Sequence, residues 1–167
     1  MTADPLHYSE RWRVRNHELD SNGHVNNSVY LAWAEEIATR HAEAAGYGRE
    51  WSRERGGVWV IHKMEITYHR PAVYNDVVEV AVDVELIKGA RGIRRTRITR
   101  AGRDGGTGGG AGGGTDGRSD ELLAELWTEW AWVRLTDGKP MRVPPELVEL
   151  AAPATARTLA LGDLSRN

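Results

Sequence analysis

Between residues 27 and 45, Tyr30, Trp33, Ala34, Ile37, Ala38, His41, Ala44 and Ala45 recur at helical spacing, while Glu35, Glu36, Thr39, Arg40 and Glu43 fall mostly elsewhere. A stripe of that kind specifies one amphipathic helix that has to bury one side. Asn26 or Asn27 can cap its start through a side-chain oxygen, and Gly46 suits its end, where a left-handed residue is often required. Downstream the period changes to two, first in Val58, Val60, His62, Met64, Ile66 and Tyr68, then in Val78, Val80, Val82, Val84 and Leu86. Both runs predict strands. Pro71 and Tyr74-Asn75-Asp76 separate them, Lys88-Gly89-Ala90 leads into a third strand near 92–100, and a fourth runs over 121–135 before the turn Asp137-Gly138. Residues 7–19 alternate less regularly and predict a first strand. The order strand, helix, four strands predicts an α+β fold, one long central helix wrapped by an antiparallel sheet of about five strands.

A chain of 167 residues suits a single domain, 1–167, with one core. Within it, 101–119 carries Gly108-Gly109-Gly110-Ala111-Gly112-Gly113-Gly114, which offers nothing to bury. No Lys-Ser or Lys-Thr pair follows as a phosphate loop needs, so a flexible insertion between the last two strands is expected. Beyond Pro144-Pro145, a short helix over 146–152 and a frayed tail, 153–167, are expected. A sheet covered on one face leaves alternate positions such as Trp59, Ile61, Trp127 and Val133 open, and a homodimer or homotetramer would cover them.

The absence of cysteine removes disulfides, thiolate metal sites and a cysteine nucleophile. No His-Glu-x-x-His spacing occurs, so neither metal nor cofactor is expected. A net charge of -2 argues against nucleic acid as a partner. No apolar run approaches the roughly 20 residues that span a bilayer, so no membrane association and a cytoplasmic location are expected.

Chemistry-bearing side chains concentrate where the helix begins: Asp20, Asn22, His24, Asn26 and Asn27 lie within eight residues. Read plainly, Asp20-Ser21-Asn22-Gly23 is a turn and Asn26-Asn27 a cap. A helix start also presents free N–H groups and a positive dipole end, suited to a developing oxyanion, beside a carboxylate that can act on water. The pattern Asp20-x-x-Gly23-His24-Val25-Asn26-Asn27-x-x-Tyr30, continuing to Glu35, resembles the helix-start motif of hotdog-fold, 4-hydroxybenzoyl-CoA thioesterase-like proteins, and Asp20-x-Asn22-x-His24 is also similar to acyl-ACP thioesterases. Tyr68-His69-Arg70-Pro71-Ala72, then Asp76 and Val80, and Asp137-Gly138-Lys139-Pro140 to Val143-Pro144 extend the resemblance over most of 7–144.

That resemblance implies hydrolysis of an acyl-CoA or acyl carrier protein thioester, with Asp20 as general base or as nucleophile. It implies that Asn22 and His24 align water or the thioester carbonyl, that Gly23 admits the thioester to the backbone, and that the amides of His24, Val25 and Asn26 supply oxyanion donors. Asn27 reads as cap or donor, and Glu35 matches a recurrent helix acid or sits on a solvated face. Tyr30, Trp33, Trp59 and Met64 are candidates to line the acyl pocket. His62 falls on the apolar face of its strand, as a buried histidine or a substrate contact. Arg95, with Arg97 on one face of a basic strand, could reach CoA phosphates or protect a soluble edge. Two other readings use the same fold, hydration or dehydration of a β-hydroxyacyl thioester and an acyl-CoA-binding module without turnover.

Overall fold

The computed structural model describes residues 4–101 and 121–164; the expected Gly-rich insertion lies, from residue 102 on, outside them. Strand β1 (His7–Arg13) passes through a 3-10 turn (Asn16–Glu18) to helix α1 (Asn27–Ala44) and a short helix α2 (Arg49–Glu54). Strands β2 (Gly57–Tyr68), β3 (Val77–Lys88), β4 (Arg91–Arg100) and β5 (Glu121–Arg134) follow, then helices α3 (Pro145–Leu150) and α4 (Ala152–Leu164). The strands form one antiparallel sheet in the order β1-β3-β4-β5-β2, so β1 and β2 are its edges. This is the predicted α+β architecture. The first strand stops at Arg13, six residues short of the expected end, because the chain turns into the 3-10 segment to reach α1. No described helix is long and apolar enough to cross a membrane.

Helix α1 starts where its capping signal lies: the Asn26 side chain accepts the Ser28 amide at 3.0 Å. Gly46, with φ of 82°, lets the chain leave. The apolar stripe packs on β1, β3 and β5. Ile37, Val78, Val80, Val82, Ile98 and Leu126 are fully buried between the two layers, each contributing about 1.5–3 kcal/mol by removal from water. Helix α2, which no periodicity announced, is started by the Glu43 carboxylate, whose Oε1 accepts the Arg49 amide at 2.9 Å. It brings Trp51 against Trp132, which Trp59 meets from β2 at 5.2 Å.

Three expectations need correction. The alternation assigned to β2 is broken by a register shift between Ile61 and Lys63. His62 is the extra residue of that bulge and is exposed rather than on the apolar face. Upstream of it Trp59 turns inward opposite Trp132, and downstream Met64 and Ile66 do so instead. The outer face of the sheet is not an apolar surface either. It carries ion pairs between strands, Arg95–Glu85, Arg97–Asp83, Arg91–Glu129 and Arg11–Glu79, with Trp127 under the Arg95 guanidinium.

The tail expected to fray, 153–167, is helical through Leu164. β1 pairs with β3 only as far as Asp83, which leaves later edge groups of β3 in need of partners. Helix α4 supplies them: Thr155 Oγ1 lies 3.0 Å from the Ile87 amide, and Thr158 Oγ1 donates to the Glu85 carbonyl at 2.7 Å. Ala151 and Ala154 are fully buried at this contact.

Candidate active site

The segment before α1 closes on itself as a tight hairpin. The Gly23 amide donates to the Asp20 carbonyl at 3.1 Å, and the Asp20 amide to the His24 carbonyl at 2.7 Å. The Asp20 carboxylate folds over the turn, its Oδ1 accepting the Asn22 amide at 2.8 Å and the His24 amide at 3.2 Å. Gly23 has φ of 74°, a conformation an L side chain rarely adopts, so the turn itself requires glycine. A bridge between Leu19 and Val25 closes the hairpin, and one between His24 and Val73 ties it to the body.

These ties change the expected roles of the backbone. The Val25 amide donates to the Ala72 carbonyl and the Asn26 amide to the Glu18 carbonyl, each at 2.9 Å. With His24 turned to Asp20, all three amides expected to hold an oxyanion are committed internally. Ser28 is used by the Asn26 cap and Val29 by the Asn26 carbonyl. Among the described residues, the Asn27 amide is the one in 22–29 without an internal acceptor. The side chains of Asn22, His24 and Asn27 are exposed and, like Asp20 Oδ2, have no described partner. The free groups are therefore a carboxylate oxygen, an imidazole, two carboxamides and one amide N–H, gathered at the positive end of α1.

Beneath this hairpin sits Glu18, which no sequence motif singled out. It is 5% exposed and accepts from the Arg15 amide and guanidinium, each at 2.8 Å, and from Trp33 Nε1 at 3.3 Å. Burial pushes its pKa up, but these hydrogen bonds and the Arg15 charge outweigh that and hold it below the usual carboxylate range. Trp33 is thus a strut and not a pocket wall. Tyr30 is one too, its hydroxyl accepting the Ala72 amide at 3.0 Å and its ring meeting Trp33 and Tyr68 edge on. Tyr68 in turn donates to the Asn27 carbonyl at 3.0 Å.

The remaining candidates lie elsewhere. A cavity of about 410 Å³ opens between the C-terminal half of α1, α2, α3 and the sheet, lined by Trp59, Val84, Ile87 and Leu147 among others. Glu35 is exposed on its rim, about 12 Å along α1 from Asn27 at 1.5 Å per residue. No residue of 20–34 lines it. His41 and Arg94, neither singled out by the sequence as site residues, face each other in its wall. His62 is exposed on the β2 bulge, and Arg95 is held by Glu85 at 3.0 Å on the outer face, so neither joins the hairpin.

The sequence profile of the thioesterase-like superfamily matches residues 14–150. The long-chain acyl-CoA thioesterase FadM of Escherichia coli strain K12 is 31% identical over 87 residues, which are 52% of this chain and 65% of that protein. The chloroplastic oleoyl-acyl carrier protein thioesterase 1 of Arabidopsis thaliana is 27% identical over 86 residues, 48% of this chain and 24% of that protein. The chain therefore spans less than two thirds of the length of either relative. Among solved structures, a variant of 4-hydroxybenzoyl-CoA thioesterase complexed with 4-hydroxybenzoyl-CoA superposes with a TM-score of 0.71 at 17% identity, covering 87% of this chain and 98% of that one. The probable thioesterase YbaW of Escherichia coli superposes with a TM-score of 0.69 at 22% identity, covering 88% and 98%. At such identities the likeness speaks for the fold alone, and the fold is the helix-on-sheet hotdog. With its profile matched over 14–150 and that architecture in place, the chain belongs to the thioesterase-like superfamily.

Proposed function

We propose that this protein hydrolyses an acyl-CoA thioester at the hairpin before α1, with Asp20 acting on the attacking water. The observation that carries the reading is the state of the Asp20 carboxylate: Oδ1 is tied down by two backbone amides, so the free Oδ2 has a defined direction. As water attacks the carbonyl carbon, Oδ2 takes its proton. The oxyanion that forms is met by the Asn27 amide at the positive end of α1, with the His24 imidazole as a second donor, and removing such a donor typically costs about 10² to 10³ in rate. When the C–S bond breaks, the proton held by Asp20 passes to the departing thiolate. Membership of the superfamily and the kinship with FadM support the thioester as substrate and coenzyme A as its carrier.

A homodimer belongs to the same reading. Among the described residues, the edge of β2 that faces away from β5 has no partner strand, and Tyr68, Val73 and Tyr74 lie exposed beside the hairpin. A second copy meeting this edge would cover them and wall in the site.

Release of free thiol from acyl-CoAs of graded length and from acyl carrier protein thioesters tests the activity. Turnover of acyl-CoA at rates well above the uncatalysed reaction is expected. Saturable binding without thiol release would point to a binding module, and addition of water to an enoyl thioester with the thioester intact would point to hydration chemistry.

A further inference from the structure

The cavity beside α1 holds a cation that no carboxylate among the described residues pairs with. Arg94 projects from β4 toward α1 and donates through Nη1 to His41 Nδ1 at 2.9 Å and to the Ala38 carbonyl at 3.4 Å. Its neighbours on the strand are all paired with carboxylates: Arg91 with Glu129, Arg95 with Glu85, Arg97 with Asp83, and Arg100 with Asp76. Among the described residues, Arg94 has no acidic partner. Burial lowers its pKa to about 10, which still leaves it charged at neutral pH. A half-buried guanidinium in a mainly apolar wall has its charge balanced only by water or by a ligand that brings the missing charge.

The surroundings orient it. A carbonyl can only accept, so His41 Nε2 donates to the Asp4 carbonyl at 3.1 Å and Nδ1 is left to accept from Arg94. His41 is neutral, its pKa lowered to about 4 by burial and by the Arg94 charge. Both of these contacts use Nη1, so the fork of Nε and Nη2 has no partner among the described residues. In the same wall stands Trp130, whose buried indole N–H also lacks an acceptor. The rest is mainly apolar, from Leu6, Trp59, Val84, Ile87 and Leu147, with Glu35 and Glu43 balanced by Arg49 and Arg53 in the same lining. The cavity, of about 410 Å³, falls in the size range of small-molecule sites.

We infer that this cavity is a binding site for a carboxylate on an apolar body, the carboxylate received by Arg94 and the body by the surrounding aliphatic and indole side chains. Guanidinium and carboxylate match in shape and charge, and removal from water strengthens the pairing. Two sources share this chemistry: a free medium-chain acid, or the distal carboxylate of a dicarboxylic acyl thioester. The site does not depend on Asp20 acting as proposed above.

Calorimetric titration of the full chain with decanoate and with decan-1-ol, followed also through tryptophan fluorescence, tests this. Decanoate should bind at least tenfold more tightly than the alcohol, and Arg94→Met should abolish that preference while leaving the alcohol no weaker. Arg94→Lys, which keeps the charge but loses the fork, should retain part of the preference and supplies the comparison if Arg94→Met does not fold. Equal affinity for acid and alcohol in the natural protein, no saturable decanoate binding, or an undiminished preference in Arg94→Met would overturn the inference. The source follows from kinetics: a KM for decanedioyl-CoA at least tenfold below that for decanoyl-CoA, lost in Arg94→Met, assigns the thioester, whereas equal KM values with Arg94-dependent decanoate binding assign the free acid.

Discussion

His41 shows how a single side chain couples the interior to pH. The unfolded chain binds its proton near the ordinary histidine value of 6.5, while the folded protein binds it only near 4, because burial and the Arg94 charge oppose protonation. The contribution to stability is fully present above pH 6.5 and drains away as pH falls from there toward 4. Two and a half pH units correspond to a loss on the order of 3 kcal/mol. Urea unfolding of the natural protein should show this decline between pH 7 and pH 4, and His41→Gln should flatten it; an equal slope in both would assign the decline to other groups. His41 was read in the sequence only as part of the helix stripe. That is where it lies, but its chemistry depends on Arg94, 53 positions away, and no local pattern carries such a pairing. Asp20 differs because its partners, the amides of Asn22 and His24, are two and four residues away. Local spacing was enough to expose it.

At the scale of elements, α1 and the sheet were legible because each needs only a period, 3.6 or 2, sustained over many residues. What disturbed those periods was not legible. The bulge at His62 inserts one residue into β2, and alternation continued across it put Trp59 outside and His62 inside, the reverse of their places. Helix α4 was missed because its stripe is weak and its attachment to β3 runs through two threonine hydroxyls. Replacing Thr155 and Thr158 with valine keeps the shape and removes those bonds, at about 1 kcal/mol each. Amide exchange at Ile87 should then become much faster while amides of Val80 and Val82 stay protected. Unchanged protection at Ile87 would mean that packing of Ala151 and Ala154, not the hydroxyls, holds the helix.

For the whole molecule, the expected apolar outer face proved to be a lattice of ion pairs, which moves the argument for self-association from the face of the sheet to its β2 edge. Sedimentation at micromolar concentration is expected to give a dimer, and a monomer would leave the Asp20 hairpin and its exposed tyrosines without the cover proposed for them. The amides first assigned to the oxyanion turned out to hold the hairpin to the body, so the account now rests on Asp20, His24 and the Asn27 amide. Asp20→Asn separates scaffold from chemistry, because a carboxamide oxygen can still accept the Asn22 and His24 amides but cannot take a proton from water. The decisive measurement is acyl-CoA thiol release by Asp20→Asn, with circular dichroism and melting temperature compared with those of the natural protein. A fall of at least about 10² in kcat, the scale general base catalysis contributes, with the fold unchanged, is the predicted result; turnover equal to that of the natural protein would contradict it.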